Sequence, residues 1–463
     1  MKRFLAVISV SALIFSFLLS GCSTGEATRE QVLKEALQPT YEELESNFSG
    51  DKGEYSLVSE YLRSWAQKNS LKITKSGDHY IMITNPATSG MKKAQDMTMQ
   101  CSVKTGDFKN SMETLAIGMT ALMGADEHGT INLIVTEDDS GEYTGANELP
   151  SSLCSSDNFI NLEYSKQLGL YTSGAYTLRG TMSSTIRYTS PKYSNAYTIT
   201  MSMSDNKDPF DTDNDYPNPV NVIGNLLASQ KSSGKLFQVA SFKCDVSDGH
   251  IPRSATAVVI IDDNNIDSFT KKFNSSYESM KNRFDKLQDS FVYTMTETSM
   301  PSRVMTNQSS DNIISLMYTL KTGIFKQDDD TGEVIAVSDI TSISISGGRF
   351  KAAIDARSLD KSTLSEMSGM FSTTSGLCNI NYKSSDTSMT WKSGSQPGAF
   401  FRKSLSLGEN EPSAVLKSSE CDIFASKSKN ANIISYHCNL SSTGKAALMN
   451  LIHYEEKLAS DIK

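Results

Sequence analysis

Asp96-Met97-Thr98-Met99-Gln100-Cys101-Ser102-Val103 reads as a β-strand, and a helical stretch from Met112 to Met123 follows it. Ile131 to Thr136 then supplies a short apolar run of the buried-strand kind, and His79 to Thr84 supplies another β-like run upstream. Strands alternating with helices predict an α/β layer.

Working outward, Glu30 to Phe48 predicts a helix, and Asp51 with Glu54 predicts a capping box for the next one. In that second helix Leu57, Val58, Tyr61, Leu62, Trp65 and Ala66 recur at helical spacing. The texture changes from about Ala196. Thr198 to Ser204 alternates like a strand, Val220 to Leu227 looks helical, Ala255 to Ile261 is β-rich, and Asp267 to Gln288 is a long polar amphipathic helix. Strands near Ser342 to Ile345 and Phe350 to Asp355 continue this α+β insert, with a helix after Asp360. Trp391 opens a Gly/Ser/Pro-rich connection, and a last helix runs from Ser442 to the end. The predicted division is therefore residues 30–193 plus 390–463 as one domain and 194–389 as an inserted one. No fixed-period repeat interrupts it.

The amino terminus carries an export signal. Lys2 and Arg3 precede an apolar run from Phe4 to Leu19, and Leu19-Ser20-Gly21-Cys22 sets small residues directly before a cysteine. This order predicts a bacterial lipobox: residues 1–21 are cleaved, Cys22 is acylated, and residues 22–29 form a tether. The run is too short to span a bilayer, which takes about 20 residues. Several acyl chains on Cys22, each methylene worth about 0.8 kcal/mol, hold a protein at a bilayer without a spanning helix. Ser23 in place of aspartate points to the outer membrane, facing the periplasm.

Removing Lys2 and Arg3 takes the 44 basic residues to 42 against 53 acidic ones, so the mature charge is 42 − 53 = −11. Such a balance argues against a nucleic-acid partner. Six cysteines remain after Cys22, namely Cys101, Cys154, Cys244, Cys378, Cys421 and Cys438. In an oxidising compartment they allow up to three disulfides in fifteen pairings, and the expectation is a mixture of disulfides and buried thiols. No pair has the C-x-x-C spacing of a zinc knuckle.

The stretch Asn85-Pro86-Ala87-Thr88-Ser89-Gly90-Met91, followed by Met99-Gln100-Cys101-Ser102, resembles the aminoacylhistidine (Xaa-His) dipeptidases, which read K-P-A-T-A-G-M and then L-Q-A-H-L-D. Further matches keep the family's order: Ala116-Ile117-Gly118-Met119, His128-Gly129, Gly145-Ala146, Ile160-Asn161, His250-Ile251-Pro252-Arg253-Ser254-Ala255 and Glu420-Cys421-Asp422-Ile423-Phe424. The collinearity covers nearly the whole mature chain. It implies a zinc-peptidase-like α/β domain interrupted by an α+β lid domain, with homodimerisation through the lid as a possibility.

The resemblance also implies two zinc ions held by two histidines and three carboxylates, with a further glutamate as general base. This chain departs from that set. Ser102 stands at the first histidine, Lys104 at the aspartate that orients it, and Thr114 at the bridging aspartate. Asp139 and Ser140 align with the base and its neighbouring ligand, or Glu137 and Asp138 after a two-residue slide. Glu163 matches a ligand aspartate, Leu440 stands at the last histidine, and Lys207 at the lid histidine. His437 lies three residues from Leu440. Arg253 of the lid segment can still pair with a carboxylate of a ligand.

The Asp211, Asp213, Asp215 cluster starts like a calcium loop, but Tyr216 stands where glycine is needed and Val222 where the bidentate glutamate belongs. No H-E-x-x-H, P-loop, G-x-S-x-G or dinucleotide fingerprint occurs in the right context. The expectation is a lipid-anchored protein with a peptidase-like fold and no cofactor, serving a peptide or envelope-protein partner. The competing expectation is a working dipeptidase that binds zinc through Glu137, Asp138, Asp139, Glu163 and His437.

Overall fold

The computed structural model describes residues 28–48, 54–139, 141–204, 207–212, 216–245, 249–284, 291–406, 414–428 and 432–462. Cys22 and the whole lipobox lie outside them. Two compact units result: Met1–Gly174 with Thr390–Ala414 and Ser419–Lys463, and Ala175–Met389 with Val415–Ser418.

The first unit begins with α1 (Arg29–Phe48) and α2 (Tyr55–Lys68). Of the pair predicted as a capping box, Asp51 lies outside the described residues, and Glu54 is the N-cap of α2, with no side-chain capping bond. Strands β1 (Lys72–Ser76), β2 (Tyr80–Asn85) and β3 (Met97–Lys104) follow, then α3 (Phe108–Leu122), β4 (Ile131–Asp138), β5 (Phe159–Tyr164) and β6 (Gly169–Tyr171). After the second unit the chain returns with a helix at Ser395–Ser404, inside the stretch expected to be a connection, and then α4 (Glu420–Lys427). Strand β7 (Ile433–Cys438) and α5 (Gly444–Ser460) complete the unit.

These strands form one seven-stranded sheet in the order β1-β2-β4-β3-β5-β7-β6. The central four are parallel, and antiparallel pairs close both edges. Because β7 inserts between β5 and β6, the sheet is completed only by residues that follow the second unit. Along the central strands one set of alternate residues is apolar, including Met99, Cys101, Val103, Leu133, Val135, Ile160, Leu162, Ile434 and Tyr436, and packs with Leu115, Met119 and Leu451 of α3 and α5. At about 25 cal/mol per Å² of buried apolar surface this face is the main source of the unit's stability.

The second unit starts at Ala175, ahead of the boundary expected at residue 194. The cause is pairing: Tyr176–Thr185 runs antiparallel to Arg349–Ser358, from Tyr176↔Ser358 to Thr185↔Arg349. That strand belongs to a six-stranded sheet with Gly323–Gln327, Val334–Ser346, Asn381–Ser384 and Ser388–Met389. A four-stranded sheet contains Asn195–Met203, Phe237–Cys244, Ser254–Ile261 and Phe291–Glu297. Helices Pro219–Ser232, Ile266–Arg283, Asn307–Thr319 and Lys361–Leu377 contribute to a shared core with both sheets.

The six cysteines after Cys22 are all free thiols, so the expected disulfides are not present. For Cys101 and Cys438 the reason is geometric. They lie on β3 and β7 with β5 between them and are offset by two residues along it, so two strand spacings alone separate them by about 10 Å, whereas a disulfide needs Cα atoms within about 7 Å. No helix among the described residues is long and apolar enough to cross a membrane.

Candidate functional site

From β3 the chain passes to β4 on one side and returns to β5 on the other. The carboxyl end of β3 is therefore a topological switch point, where open parallel sheets form a crevice. Lys104 is the last residue of β3 and pairs in register with Asp138 at the end of β4. His437 and Glu163 pair in register on β7 and β5.

The second set of alternate residues on these strands is polar, and much of it is buried. Gln100, Ser102 and Lys104 on β3 share a face with Thr136 and Asp138 on β4, Asn161 and Glu163 on β5, and Ser435 and His437 on β7. Glu420, the first residue of α4, is fully buried on this face. Its carboxylate accepts from Gln100 Nε2 at 2.9 Å and from Thr136 Oγ1 at 2.8 Å. Asn161 donates to Gln100 Oε1 at 2.6 Å and accepts from Ser435 Oγ at 2.8 Å. One bonded chain thus crosses four strands and satisfies side chains that would otherwise cost a few kcal/mol each to bury.

Next to this chain Lys104 Nζ donates to Glu163 Oε2 at 2.8 Å. Burial is the largest influence on the ammonium and works against its charge, but Glu163, Glu420 and Asp138 outweigh it and hold its pKa above the ordinary value. Glu163 mirrors this: burial opposes ionisation, yet Lys104, His437 and a bond from Asn161 bring its pKa below the usual range. Glu420 goes the other way. Burial, then Glu163 and Asp138, push its carboxyl up to about 7. Asp138 is also raised by burial, although the Tyr143 backbone N–H, at 2.9 Å, favours its charged form.

The other residues singled out in the sequence scatter. Glu137 is on the opposite face of β4 and pairs with His79 Nδ1 at 2.6 Å, raising the histidine's pKa. Asp139 is exposed, its carbonyl accepting from Glu142 N, and Ser140 lies outside the described residues. Thr114 is buried in α3, bonded to the Ser111 carbonyl. The backbone N–H of Leu440 donates to Glu113 at 2.8 Å. His437 Nε2 is 3.1 Å from Ser435 Oγ, and its ring lies 4.4 Å from that of Tyr171. Arg253 is exposed in the second unit, as part of a segment whose Ile251 bridges to Lys207. Asp211 lies 3.7 Å from Lys417, while Asp213 and Asp215 are outside the described residues.

Of the candidates named from sequence, the structure places Asp138, Glu163 and His437 on one face; the sequence reading did not name Glu420, Gln100, Thr136, Asn161 or Ser435 as part of it. The available signal was the polar alternation Thr98, Gln100, Ser102, Lys104 inside a strand flanked by buried ones. Among the described residues no three His, Cys, Asp or Glu side chains gather in a way that could hold a metal ion. A hydroxyl at Ser102 and a charged ammonium bonded to Glu163 are unsuited to zinc. The residues present do not fit a zinc pair.

A solved aminoacylhistidine dipeptidase from Vibrio alginolyticus superposes on 96% of this chain and 99% of its own, with a TM-score of 0.50 and 19% identity. The chain has the fold of that dipeptidase. An aminopeptidase PepT from Bacillus cereus is also similar, with a TM-score of 0.45 and 10% identity over 91% of this chain and 99% of its own. So is a tripeptidase from Staphylococcus aureus, with a TM-score of 0.45 and 12% identity over 92% and 99%. No sequence-family model matches the chain, and no curated protein does.

Proposed function

We propose that this chain is a non-catalytic relative of the aminoacylhistidine dipeptidases, held at a cell-envelope membrane by an acylated Cys22 and serving to bind a peptide or an envelope protein. The observation that carries this reading is the Lys104–Glu163 contact of 2.8 Å at the sheet's switch point. A permanent cation there neutralises the carboxylates a metal would need and repels the metal itself. The lipobox supports the anchor, and the fold supports a peptide-sized ligand.

Two measurements on the mature protein test the proposal. Metal analysis after purification without chelator is expected to find no stoichiometric zinc, and incubation with Xaa-His dipeptides in added zinc or manganese is expected to give no turnover. Stoichiometric metal together with hydrolysis overturns it. Mass spectrometry of the amino-terminal peptide tests the anchor separately, since an unmodified Cys22 removes that part alone.

A further inference from the structure

On the six-stranded sheet in the second unit, the end of one face nearest Ser346 and Arg349 is open, polar and basic, while Ala353, Asp355 and Arg357 further along the same face are buried. The pairing registers lay it out in rows. The first row is Ser346, Arg349 and Thr185; the second is Ser344, Lys351, Ser183 and Asn381; the third is Ser342, Ala353, Thr181 and Lys383. Arg349, Lys351 and Lys383 are all exposed. No ion pair involving any of the three occurs among the described residues, although a fourth cation at the end of the face, Arg179, lies 3.6 Å from Asp355. The opposite face is apolar: Leu178, Met182, Phe350, Ala352 and Ile354 are buried in the unit's core.

Three properties define what such a face can hold. Its side chains are donors and cations, spaced about 4.8 Å between strands and about 7 Å along them. Its sign opposes that of the chain, whose formal charge is −9. It also lacks an exposed aromatic or large aliphatic side chain in any of the three rows, and such anchors carry most of the energy in protein–protein contacts. A flat array of phosphates satisfies all three.

We propose that this face seats on the phosphate headgroups of an anionic bilayer. The inference rests on the lipid-anchor reading for where it acts, because Cys22 acylation places the chain beside such a surface; the face itself does not depend on it. A basic patch joined to an acyl anchor gives two attachments, of which the electrostatic one is weakened by salt.

The test uses the chain from Ser23 to Lys463, which has no acyl group and contains every described residue. It is mixed with vesicles of phosphatidylcholine alone or with added phosphatidylglycerol, and bound protein is measured by co-sedimentation at low and high salt. Binding is expected only with phosphatidylglycerol, to fall with salt, and to weaken on the order of a hundredfold in R349Q/K351Q/K383Q. A control of equal net charge, K68Q/K92Q/K93Q on the first unit, is expected to bind like the parent, and equal thermal midpoints show that all three proteins are folded. The proposal is overturned if vesicle binding is absent or indifferent to phosphatidylglycerol, if the two triple variants behave alike, or if polyglutamate competes at lower concentration than the vesicles. An unmodified Cys22 would remove the anchor reading and leave this vesicle result standing.

Discussion

Lys104 Nζ and Glu163 Oε2 lie 2.8 Å apart where β3 and β5 end, each partly shielded from solvent. Replacing Lys104 by methionine leaves the carboxylate without its cation. Full burial of such an orphan costs about 3–5 kcal/mol and full exposure under 1, so K104M is expected to lose about 2 kcal/mol in urea unfolding at pH 7.5. K104M/E163Q is expected to recover part of that loss. The depressed Glu163 contributes stability above the unfolded glutamate value, and that contribution disappears as pH falls through the folded value. The raised Lys104 contributes fully below the unfolded lysine value and loses its share as pH rises through the folded one. The K104M penalty is thus expected to persist above about pH 5 and to shrink towards pH 3. A penalty that persists unchanged at pH 3 would mean the pair is not its source.

The alternation of strands and helices in residues 79–136 was legible because local periodicity determines it, and Lys104 was legible because a single residue type at an aligned position decides it. The polar network was not. Gln100 and Glu420 are 320 residues apart, and β7 reaches β5 only after the entire second unit, so no local pattern joins Glu163 to His437. The missed segment around Tyr176–Thr185 has the same cause, since its partner strand is Arg349–Ser358. The cysteines misled for a different reason: their number and the compartment expected from the lipobox suggested disulfides, but pairing is decided by positions in the fold.

Glu420 supplies a second pH signature. Its carboxyl, moved from 4.5 to about 7 by burial and neighbouring carboxylates, is protonated in the fold at pH values where the unfolded chain is ionised. Its contribution is fully present below the unfolded value and is lost as pH rises through about 7, a swing of about 3 kcal/mol at most. E420Q mimics the protonated form, so its stability relative to the parent is expected to improve between pH 5 and pH 8. The acceptor taken from Gln100 Nε2 offsets part of the gain. If the two unfolding curves stay parallel over that range, Glu420 is not the titrating group.

Gly145 shows why one of the aligned glycines is needed. A Cβ there would collide with the carbonyl of His79 and lie 2.7 Å from the amide of Glu137, both of them backbone atoms that cannot rotate away. The amide of Glu137 bonds that same carbonyl, joining the start of β2 to the end of β4. G145A is therefore expected to cost about 2–3 kcal/mol, within the range for overpacking a tight site. Thermal unfolding that shifts by less than a degree would show that the short helix Thr144–Glu148 shifts at little cost.

Glu455 offers the clearest route to a more stable protein. It lies on α5 with 1% of its surface exposed, and neither carboxyl oxygen has a hydrogen-bond partner among the described residues. Burial first, then the neighbouring Glu456, push its pKa well above 4.5, against a smaller opposing pull from Arg29. The folded state therefore holds this carboxyl neutral, and its contribution falls as pH rises above the unfolded glutamate value. Leucine removes the desolvated oxygens and retains most of the side-chain volume. E455L is expected to gain about 1–3 kcal/mol at pH 8, the typical cost of an unsatisfied buried polar group, and less at pH 5. E455Q separates charge from polarity, because it removes the titration but keeps two unsatisfied groups. If E455L is less stable than the parent at pH 8 while E455Q is equal to it, the carboxyl has a partner and the assignment of Glu455 as an unpaired buried acid fails.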